Sequence, residues 1–318
     1  MDPLSDALRS MRLTGGIFLD AELTAPWCLK SSVSEEDCAP FGEVPHNIVS
    51  WHYVETGRMH LQVAGAPPVV VERGEIVLLP HNHKHLIGSD LALPPENPDP
   101  LIEPAPGGLA RLVHGGGGEG TRLMCGFLGN DIPGDPVLAI MPPVLKLAAP
   151  EGATAEWIES TFRFAGAILA GGGARSAAVL GKLAELLFEE AVHRYLANMP
   201  NSEKGWLAGL RDPAIGRALA LLHRGLGRDW TTEALAAEIG MSRSAFASRF
   251  TELVGEPPMR YLAKWRLTFA ARRLLDTGEP VSRIAFEAGY ESEAAFNRAF
   301  KRNFGTPPAA WRSEQAAG

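Results

Sequence analysis

Hydrophobic residues recur at helical spacing in two similar stretches of the last third of the chain. The first, at 230–255, reads WTTEALAAEIGMSRSAFASRFTELVG, and the second, at 280–305, reads PVSRIAFEAGYESEAAFNRAFKRNFG. In each stretch an apolar helix ends at a glycine, Gly240 or Gly289, which can take the left-handed conformation of a sharp turn. A serine two or three residues later, Ser242 or Ser292, can cap the next helix through its hydroxyl. The pattern therefore predicts two helix-turn-helix units.

A long helix is predicted between the two units. Residues 257–276, PPMRYLAKWRLTFAARRLLD, combine apolar positions at helical spacing with five Lys and Arg residues. A helix of about 18 residues spans roughly 27 Å. Such a helix can hold the second helices of both units about one turn of DNA, roughly 34 Å, apart along the same face. One chain could then read two successive segments of the major groove.

The second helix of each unit has an apolar face that we assign to the core and an opposite face that we expect to contact DNA. The expected contact residues are Arg243, Ser244, Ala247 and Ser248 in the first unit, and Glu293, Ala294, Asn297, Arg298, Lys301 and Arg302 in the second. Short Ser and Ala side chains let a helix lie deep in the groove. Asn297 can pair with adenine, and Arg298 with guanine, with phosphate or with a carboxylate of the protein itself. Lys301 and Arg302 suit phosphate contacts better than base reading.

Short alternating or apolar segments between Gly/Pro-rich turns predict a β domain in the first half of the chain. The predicted strands lie near Gly16–Leu23, His46–Val54, Arg58–Val63, Val69–Val71, Ile76–Leu79 and Leu123–Leu128. The Pro- and Gly-rich stretch 90–120 is predicted to be a long, partly mobile loop. Helical patterns return after Pro142, over Ala155–Ala170 and Arg175–Leu196.

The C-terminal region resembles the AraC/XylS family of bacterial transcription regulators. The resemblance extends from near Asp212 to Arg312 and rests on PPMRYLAKWRLTFAARRLL, IAFEAGYESEAAFNRAFKRNFG and TPPAAWR. Nearer the N-terminus, HNIVSWHYVETG and VERGEIVLLPHNHKH resemble the two half-motifs of the cupin barrel. Many members of this family carry such a barrel as a sensor domain. The resemblance implies a regulator that binds double-stranded DNA and a small-molecule effector, and also RNA polymerase if it is an activator.

These expectations combine into an α+β protein with two domains. A cupin-like sensor domain is predicted over 1–200, with a β-barrel at about 15–135 and trailing helices at about 142–198. A linker follows at 201–210. An all-α DNA-binding domain with both helix-turn-helix motifs completes the chain at 211–318.

Charge divides the chain in the same place. Residues 211–318 contain 16 Lys and Arg against 12 Asp and Glu, a net charge of +4, whereas the whole chain has 30 against 37, a net charge of −7. Residues 1–210 therefore carry 14 against 25, a net charge of −11. Attraction to phosphate should be confined to the C-terminal part.

Neither a membrane segment nor a signal peptide is predicted. No apolar run approaches the ~20 residues that cross a bilayer. The start, MDPLSDALRSMRLTGG, lacks a basic region followed by an apolar stretch and a cleavage site. We therefore expect a cytoplasmic protein without membrane contact.

Five histidines are candidates for the sensor site, namely His46, His52, His81, His83 and His85. If HNHKH were a strand, alternation would place its three histidines on one face. Imidazoles that cluster in this way could bind a divalent metal such as zinc. However, the first half-motif has Ser50 and Trp51 where a metal-binding cupin supplies a glutamate. Lining of an effector pocket and structural hydrogen bonding remain alternatives, and no cofactor is assigned.

The three cysteines match no zinc-finger spacing and no even disulfide framework. Cys28 and Cys38 lie in polar surroundings and could be redox-reactive thiols or disulfide partners of each other. Acidic neighbours of Cys38 would raise its pKa and reduce its reactivity. Cys125, in LMCGFL, is predicted to be a buried core thiol. A metal- or thiol-sensing regulator is therefore the alternative function. A metal-dependent cupin enzyme fused to a DNA-binding module is less favoured, because no complete metal site with a catalytic acid or base can be assembled.

An apolar stripe on the last helix before the linker suggests how the chain assembles. The stripe contains Val179, Leu180, Leu183, Leu186 and Leu187. It could pack against the barrel or form a dimer interface, which the resemblance implies. We expect a homodimer through about 150–198.

Overall fold

The structure, a computed structural model, describes residues 13–39, 44–103, 110–130, 138, 141–148, 152–170, 175–199 and 206–317. The chain divides into two compact units. The barrel unit comprises residues 13–131 and 141–197, and the helical unit is built mainly from residues 198–318. The mixture of a sheet-rich and a helical part confirms the predicted α+β class.

The strands of the barrel unit are β1 (Thr14–Thr24), β2 (Cys28–Ser31), β3 (Asn47–Thr56), β4 (Arg58–Val63), β5 (Val69–Glu72), β6 (Ile76–Leu79), β7 (His85–Gly88), β8 (Ile102–Glu103), β9 (Ala110–Gly115), β10 (Gly120–Asn130) and β11 (Leu145–Leu147). They form a seven-stranded sheet in the order β11-β6-β3-β10-β1-β9-β8 and a four-stranded sheet in the order β2-β7-β4-β5. A short helix, α1 (Glu35–Cys38), follows β2.

Alternation along the central strands places one set of side chains between the sheets and the other set outside. On β3, Val54 belongs to the core that both sheets share. Trp51 and Tyr53 point the other way and contact Phe162, with ring centroids 5.5 Å and 3.9 Å apart respectively. Phe162 lies on helix α2 (Ala153–Ala170), which is followed by α3 (Arg175–Asn198). The inner face of β3, including His52, therefore belongs to the barrel interior.

All six predicted strands and both predicted helices are confirmed, with bounds that agree to within three residues. The short strands β2, β7, β8 and β11 were not predicted. The prediction of a continuous loop over 90–120 is wrong, since β9 lies within it and pairs in parallel with β1. The glycine run after β9 has a steric cause. A Cβ on Gly115, whose φ is +130°, would lie 1.9 Å from the backbone oxygen of Thr24.

The helical unit contains α4 (Trp206–Arg211), α5 (Pro213–Arg224), α6 (Thr232–Glu238), α7 (Arg243–Val254), α8 (Pro258–Asp276), α9 (Val281–Glu287), α10 (Glu293–Phe304) and α11 (Pro308–Ala317). The predicted linker at 201–210 overlaps α4. Trp206 is buried in this unit, and its indole N–H donates to the Tyr261 hydroxyl at 2.8 Å. The chain is thus already part of the helical unit from Trp206 onward.

Candidate nucleic-acid interface and effector cavity

The two predicted helix-turn-helix units have nearly the same backbone geometry. Helices α6 and α7 form the first, and α9 and α10 form the second. Gly240 and Gly289 lie in the turns with φ of +74° and +80°. The amide after each glycine closes the turn, because Met241 donates to the Ala236 carbonyl at 2.9 Å and Tyr290 donates to that of Ala285 at 3.0 Å. The two copies of the sequence pattern therefore form the same turn.

Serine caps begin both second helices, as the spacing predicted. The Ser242 hydroxyl accepts from the amide of Ala245 at 3.3 Å, and the Ser292 hydroxyl accepts from that of Ala295 at 3.2 Å. Each helix ends at a glycine with positive φ, Gly255 or Gly305. The caps satisfy helix-end groups that would otherwise need water. The two second helices thus begin and end in the same way.

The predicted core faces are buried. Phe246 and Phe250 on α7, and Phe296 and Phe300 on α10, have no exposed surface. The rings of Phe300 and Trp311 pack edge to face, with centroids 5.6 Å apart. Burial of these rings fixes which face of each helix remains available to DNA.

The outer face of α7 carries paired charges. Arg243 Nε lies 2.7 Å from Glu233 Oε1, at the start of α6. Arg249 donates to the Asp212 carboxylate, which also caps α5. Ser244 and Ser248 are exposed between these pairs. In the first unit, the arginines of the second helix therefore have carboxylate partners in the free protein.

The outer face of α10 is different. Glu293, Ala294, Arg298, Lys301 and Arg302 are exposed on this helix. The three basic side chains make no ion pair with any residue that the structure describes. Their positive charge remains available to phosphate, and it lies in the last two turns of the helix.

Asn297 and Ala247 are half-buried, unlike the other predicted contact residues. The Oδ1 atom of Asn297 is buried and accepts no hydrogen bond within the described part of the chain. Pairing with adenine uses both the oxygen and the nitrogen of an Asn amide. In this conformation the Asn297 oxygen does not face outward, so adenine reading requires the amide to turn.

The basic residues of α8 are largely used inside the unit. Lys264 and Arg260 lie 2.9 Å and 3.6 Å from Glu256. Arg266 donates to the carbonyl oxygens of Leu226 and Arg228 at 2.8 Å and 2.9 Å. These contacts tie the chain before the first unit to the helix that connects the two units. The charged side chains of α8 therefore serve mainly to hold α8 against the chain that precedes the first unit.

A cavity of about 1010 Å³ opens into the interior of the barrel unit. Inner-face side chains of β1, β3, β7, β9 and β10 line it, including Leu123, His52, His85 and Cys125. Strand register explains the meeting of the last three, because Cys125 on β10 is paired with His52 on the neighbouring β3. Of the five candidate histidines, His52 and His85 are the two that line this cavity.

A chain of hydrogen bonds runs along the buried wall of this cavity. Cys125 Sγ lies 3.0 Å from His52 Nδ1, and His52 Nε2 lies 2.7 Å from His85 Nε2. His85 Nδ1 lies 2.8 Å from the backbone oxygen of His83. We call Cys125, His52, His85 and the His83 carbonyl the buried relay.

The carbonyl at its end fixes the direction of the buried relay. A carbonyl oxygen only accepts, so Nδ1 of neutral His85 carries the proton and its Nε2 accepts from His52. Nδ1 of His52 then lacks a proton and accepts from the Cys125 thiol. Burial and the neighbouring His85 hold the pKa of His52 well below its ordinary value. Burial also lowers the pKa of His85 to about 4. Both imidazoles are therefore neutral at pH 7.

The other three candidate histidines lie elsewhere. His46 is exposed and precedes β3 rather than sharing its inner face. Residues 81–84 of HNHKH form a turn, with Asn82 at a φ of +48°, and His85 begins β7. Within the turn, His83 is exposed, whereas His81 donates through Nε2 to the Met141 carbonyl at 2.9 Å. The rings of His81 and His83 lie 5.2 Å apart, away from His85. The strand over HNHKH that would place all three histidines on one face does not form.

All three cysteines are free and buried, so the polar sequence around Cys28 and Cys38 does not expose their thiols to solvent. Burial and the neighbouring Asp90 raise the pKa of Cys28. Burial, Asp37 and Glu35 raise the pKa of Cys38 to about 11. Burial and Asp20 raise that of Cys125 to about 12. A thiol with a raised pKa is mostly protonated at pH 7 and is a poor nucleophile.

The geometry does not fit a resident zinc ion. Two imidazoles bound to one tetrahedral zinc at 2.0–2.1 Å have their nitrogens about 3.3 Å apart. The facing nitrogens of His52 and His85 are 2.7 Å apart, which is a direct hydrogen bond. Across the described residues, no group of three or more His, Cys, Asp or Glu side chains could hold a metal ion. Cys125, the third member of the meeting point, was predicted only as a core thiol.

Among the described helices, none combines the length and the apolar character needed to cross a membrane.

Comparison with known proteins agrees with this arrangement. A cupin family model matches residues 2–197, and a helix-turn-helix domain model matches residues 235–314. The solved DNA-binding domain of AdpA in complex with a target DNA is 34% identical, with a TM-score of 0.32, and covers 33% of this chain and 95% of its own.

Two relatives are similar over nearly their whole length. A putative AraC-like transcription regulator from Streptomyces lividans is 30% identical over 98% of both chains. The RCS-specific HTH-type transcriptional activator RclR from Escherichia coli (strain K12) is 28% identical over 98% of this chain and 97% of its own. The protein therefore belongs to the AraC family of DNA-binding transcription regulators, with a cupin domain in front of its helix-turn-helix module.

Proposed function

We propose that this regulator senses a small molecule in the cavity of its barrel unit. The observation that carries the proposal is the cavity itself, which has about 1010 Å³ of space and whose deepest wall holds the buried relay. Ligand sites are typically concave and mostly apolar, with a few placed polar groups. Binding there changes how the helix-turn-helix module engages its operator. The protein acts in the cytoplasm, and as an activator it would also contact RNA polymerase.

Metal sensing and thiol sensing are less well supported. The facing nitrogens of the two buried histidines are too close to share a zinc ion, and the raised pKa of each cysteine disfavours the reactive thiolate. The small-molecule function requires neither a metal nor a reactive thiol.

The proposal is tested with the full chain and an operator obtained by selection from randomised duplex DNA. A compound library is screened by thermal shift, because a ligand that binds only the folded state raises its stability. Hits are then added to an operator titration. We expect at least one hit to change operator affinity by fivefold or more, the usual lower range of allosteric coupling. Hits that stabilise the protein without changing operator affinity would contradict the proposal.

We further propose a homodimer formed through helices α2 and α3. Phe164 and Leu186 are exposed on these helices, at 52% and 50% of their surface. Leu186, Trp157 and His193 line a shallow groove of about 450 Å³. Leu187, by contrast, is buried within the unit, and Leu183 is half-buried. The side chains of Val179 and Leu180 lie outside the described residues. Among the members of the predicted stripe whose side chains the structure describes, Leu186 is the exposed one.

Sedimentation of the full chain at tens of micromolar tests the dimer. Leu186→Glu should give monomers, because a buried unpaired charge is costly. Ala197→Glu, at an exposed position of the same helix, is the matched control and should remain dimeric. A wild-type chain that sediments as a monomer removes the proposal.

A further inference from the structure

The lining of the barrel cavity divides into a floor and a mouth. We define the floor as the buried lining residues, among them Leu19, Leu23, Leu29, Leu112 and Leu123 together with the side chains of the buried relay. The mouth consists of the half-buried and exposed lining residues, and Asp37 is one of the half-buried ones. Its charged members include Lys30, Lys84, Glu36 and Asp99. Charge is thus present at the mouth in both signs.

The floor, as far as the structure describes it, holds no charge. His52, His85 and Cys125 are its polar side chains, and all three are neutral at pH 7. A carboxylate or an ammonium group that entered the floor would lose its water and find no opposite charge. A neutral apolar group would enter the floor without a comparable desolvation cost.

The hydrogen-bonding groups of the floor are also largely bonded to one another. Each donor of the buried relay already has an acceptor, from the Cys125 thiol to the His83 carbonyl. A polar ligand could gain a hydrogen bond from the relay only by breaking one. An apolar ligand can lie against the leucines without disturbing it.

We propose that the cavity takes an uncharged, largely apolar effector and rejects charged compounds of the same shape. The inference rests on the proposed function, since it assumes that the cavity is the effector site. The volume of about 1010 Å³ is ample for a molecule of two or three fused or linked rings, because ligand pockets typically hold about 300–1,000 Å³. Selection comes from the floor, where the body of the ligand lies, rather than from the charged mouth.

A matched pair of fluorescent probes tests the class of ligand. N-Phenyl-1-naphthylamine and 1-anilinonaphthalene-8-sulfonate share one apolar body, and only the second carries a negative charge. Both are titrated into the full wild-type chain at pH 7. We expect the uncharged probe to bind with a Kd at least tenfold lower.

Each other outcome of the titration has its own meaning. If the sulfonate binds as tightly as the uncharged probe or more tightly, the inference is overturned while the effector cavity stands. If neither probe binds, the inference of an apolar ligand is overturned, whereas the library screen with the operator titration still decides the proposed function.

A pair of identical substitutions tests where the probe lies. Ala21→Leu adds bulk to the floor, whereas Ala64→Leu adds the same bulk at the exposed mouth. We expect the floor variant to weaken binding of the uncharged probe at least fivefold and the mouth variant to change it less than twofold. Equal effects would overturn binding at the floor. If Ala21→Leu fails to fold, the comparison of the two probes on the wild-type chain still decides the class of ligand.

Discussion

The floor of the barrel cavity and the outer face of α10 use polar side chains in opposite ways. On the floor, His52 and His85 are buried, neutral and bonded to neighbours. On α10, Arg298 and Lys301 are exposed and charged, and no described carboxylate pairs with them. Water explains the difference, because charge is costly where water is excluded and nearly free where it is not. The floor can select uncharged ligands because it lacks charge, and the outer face of α10 can attract phosphate because it carries positive charge.

The two regions should therefore respond to different variables. Stability of the barrel unit should depend on pH, because its histidines resist protonation only while they stay buried. Affinity of the helical unit for DNA should depend on salt, because its charges displace ions from phosphates.

The largest expected effect is loss of stability in acid. The pKa of His85 is lowered from 6.5 to about 4 by burial, so the unfolded chain takes up a proton that the folded chain refuses between these values. The free energy of unfolding therefore has its full value above pH 6.5 and decreases as the pH falls toward 4. We expect His85 alone to account for a loss of roughly 3 kcal/mol in the free energy of unfolding. Urea unfolding at a series of pH values measures it.

Two histidine variants make this prediction specific. His85→Gln should flatten the dependence of unfolding free energy on pH between 6.5 and 4, whatever its effect on overall stability. His83→Gln removes an exposed histidine two residues away and should leave the dependence unchanged. An equal slope in wild type and His85→Gln would show that the buried histidine is not the group responsible.

The next largest effect concerns the affinity of the helical unit for DNA. Arg298→Ala should weaken operator binding by roughly 1–3 kcal/mol if the side chain reads a base, with little effect on non-specific DNA. A phosphate contact would instead weaken all sequences alike and reduce the slope of log K against log salt by about one. Arg243→Ala should cost less, because Glu233 already compensates that charge. Binding of operator and random duplexes over a salt series distinguishes these results.

A smaller effect concerns helix stability without any change in charge. Ser292→Ala removes the cap of α10 and should lower the free energy of unfolding of the helical unit by about 1 kcal/mol. Ser248→Ala removes an exposed hydroxyl from the interior of α7 that caps no helix, and it serves as the control. Thermal unfolding of both variants measures the difference. A loss in the control as large as in Ser292→Ala would argue against the cap.

The smallest effect makes the two recognition helices more alike. Glu233→Gln frees Arg243, so α7 gains one uncompensated charge and resembles α10. Stability should change by less than about 1 kcal/mol, because the pair is exposed. Affinity for random duplexes should rise a few-fold and the salt slope should steepen. Weaker operator binding would mean that Glu233 positions Arg243 for contact with DNA.

The two helix-turn-helix units and the helix between them could be predicted because their signals are local, whereas α4, α5 and α11 were not predicted. The turn glycines and the cap serines act within a few residues of their own positions. The six predicted strands also carried a local signal, because each is an apolar or alternating run between turn residues. Strand β9 was missed because Pro and Gly surround it, although a parallel partner 89 residues away holds Arg111 next to Glu22.

The candidate effector site was harder to predict because its parts meet through pairing between distant strands. His52 and His85 were both candidates, yet nothing in the sequence states that β7 brings one against the other. Cys125 had a usable signal, since it lies on the same alternating face as Leu123. Its pairing with His52 could be known only from the register of β10 against β3. The turn at Asn82 interrupts the alternation of side chains that a strand over HNHKH would have had.

The direction of the buried relay has a consequence for signalling inside the barrel. A proton placed on His85 Nε2 would make that nitrogen a donor, and His52 would then have to accept there and donate through Nδ1. Cys125 would change from donor to acceptor, although no heavy atom need move. A change of charge on β7 would thus be felt on β10, across the whole width of the barrel, as the reversal of one row of dipoles.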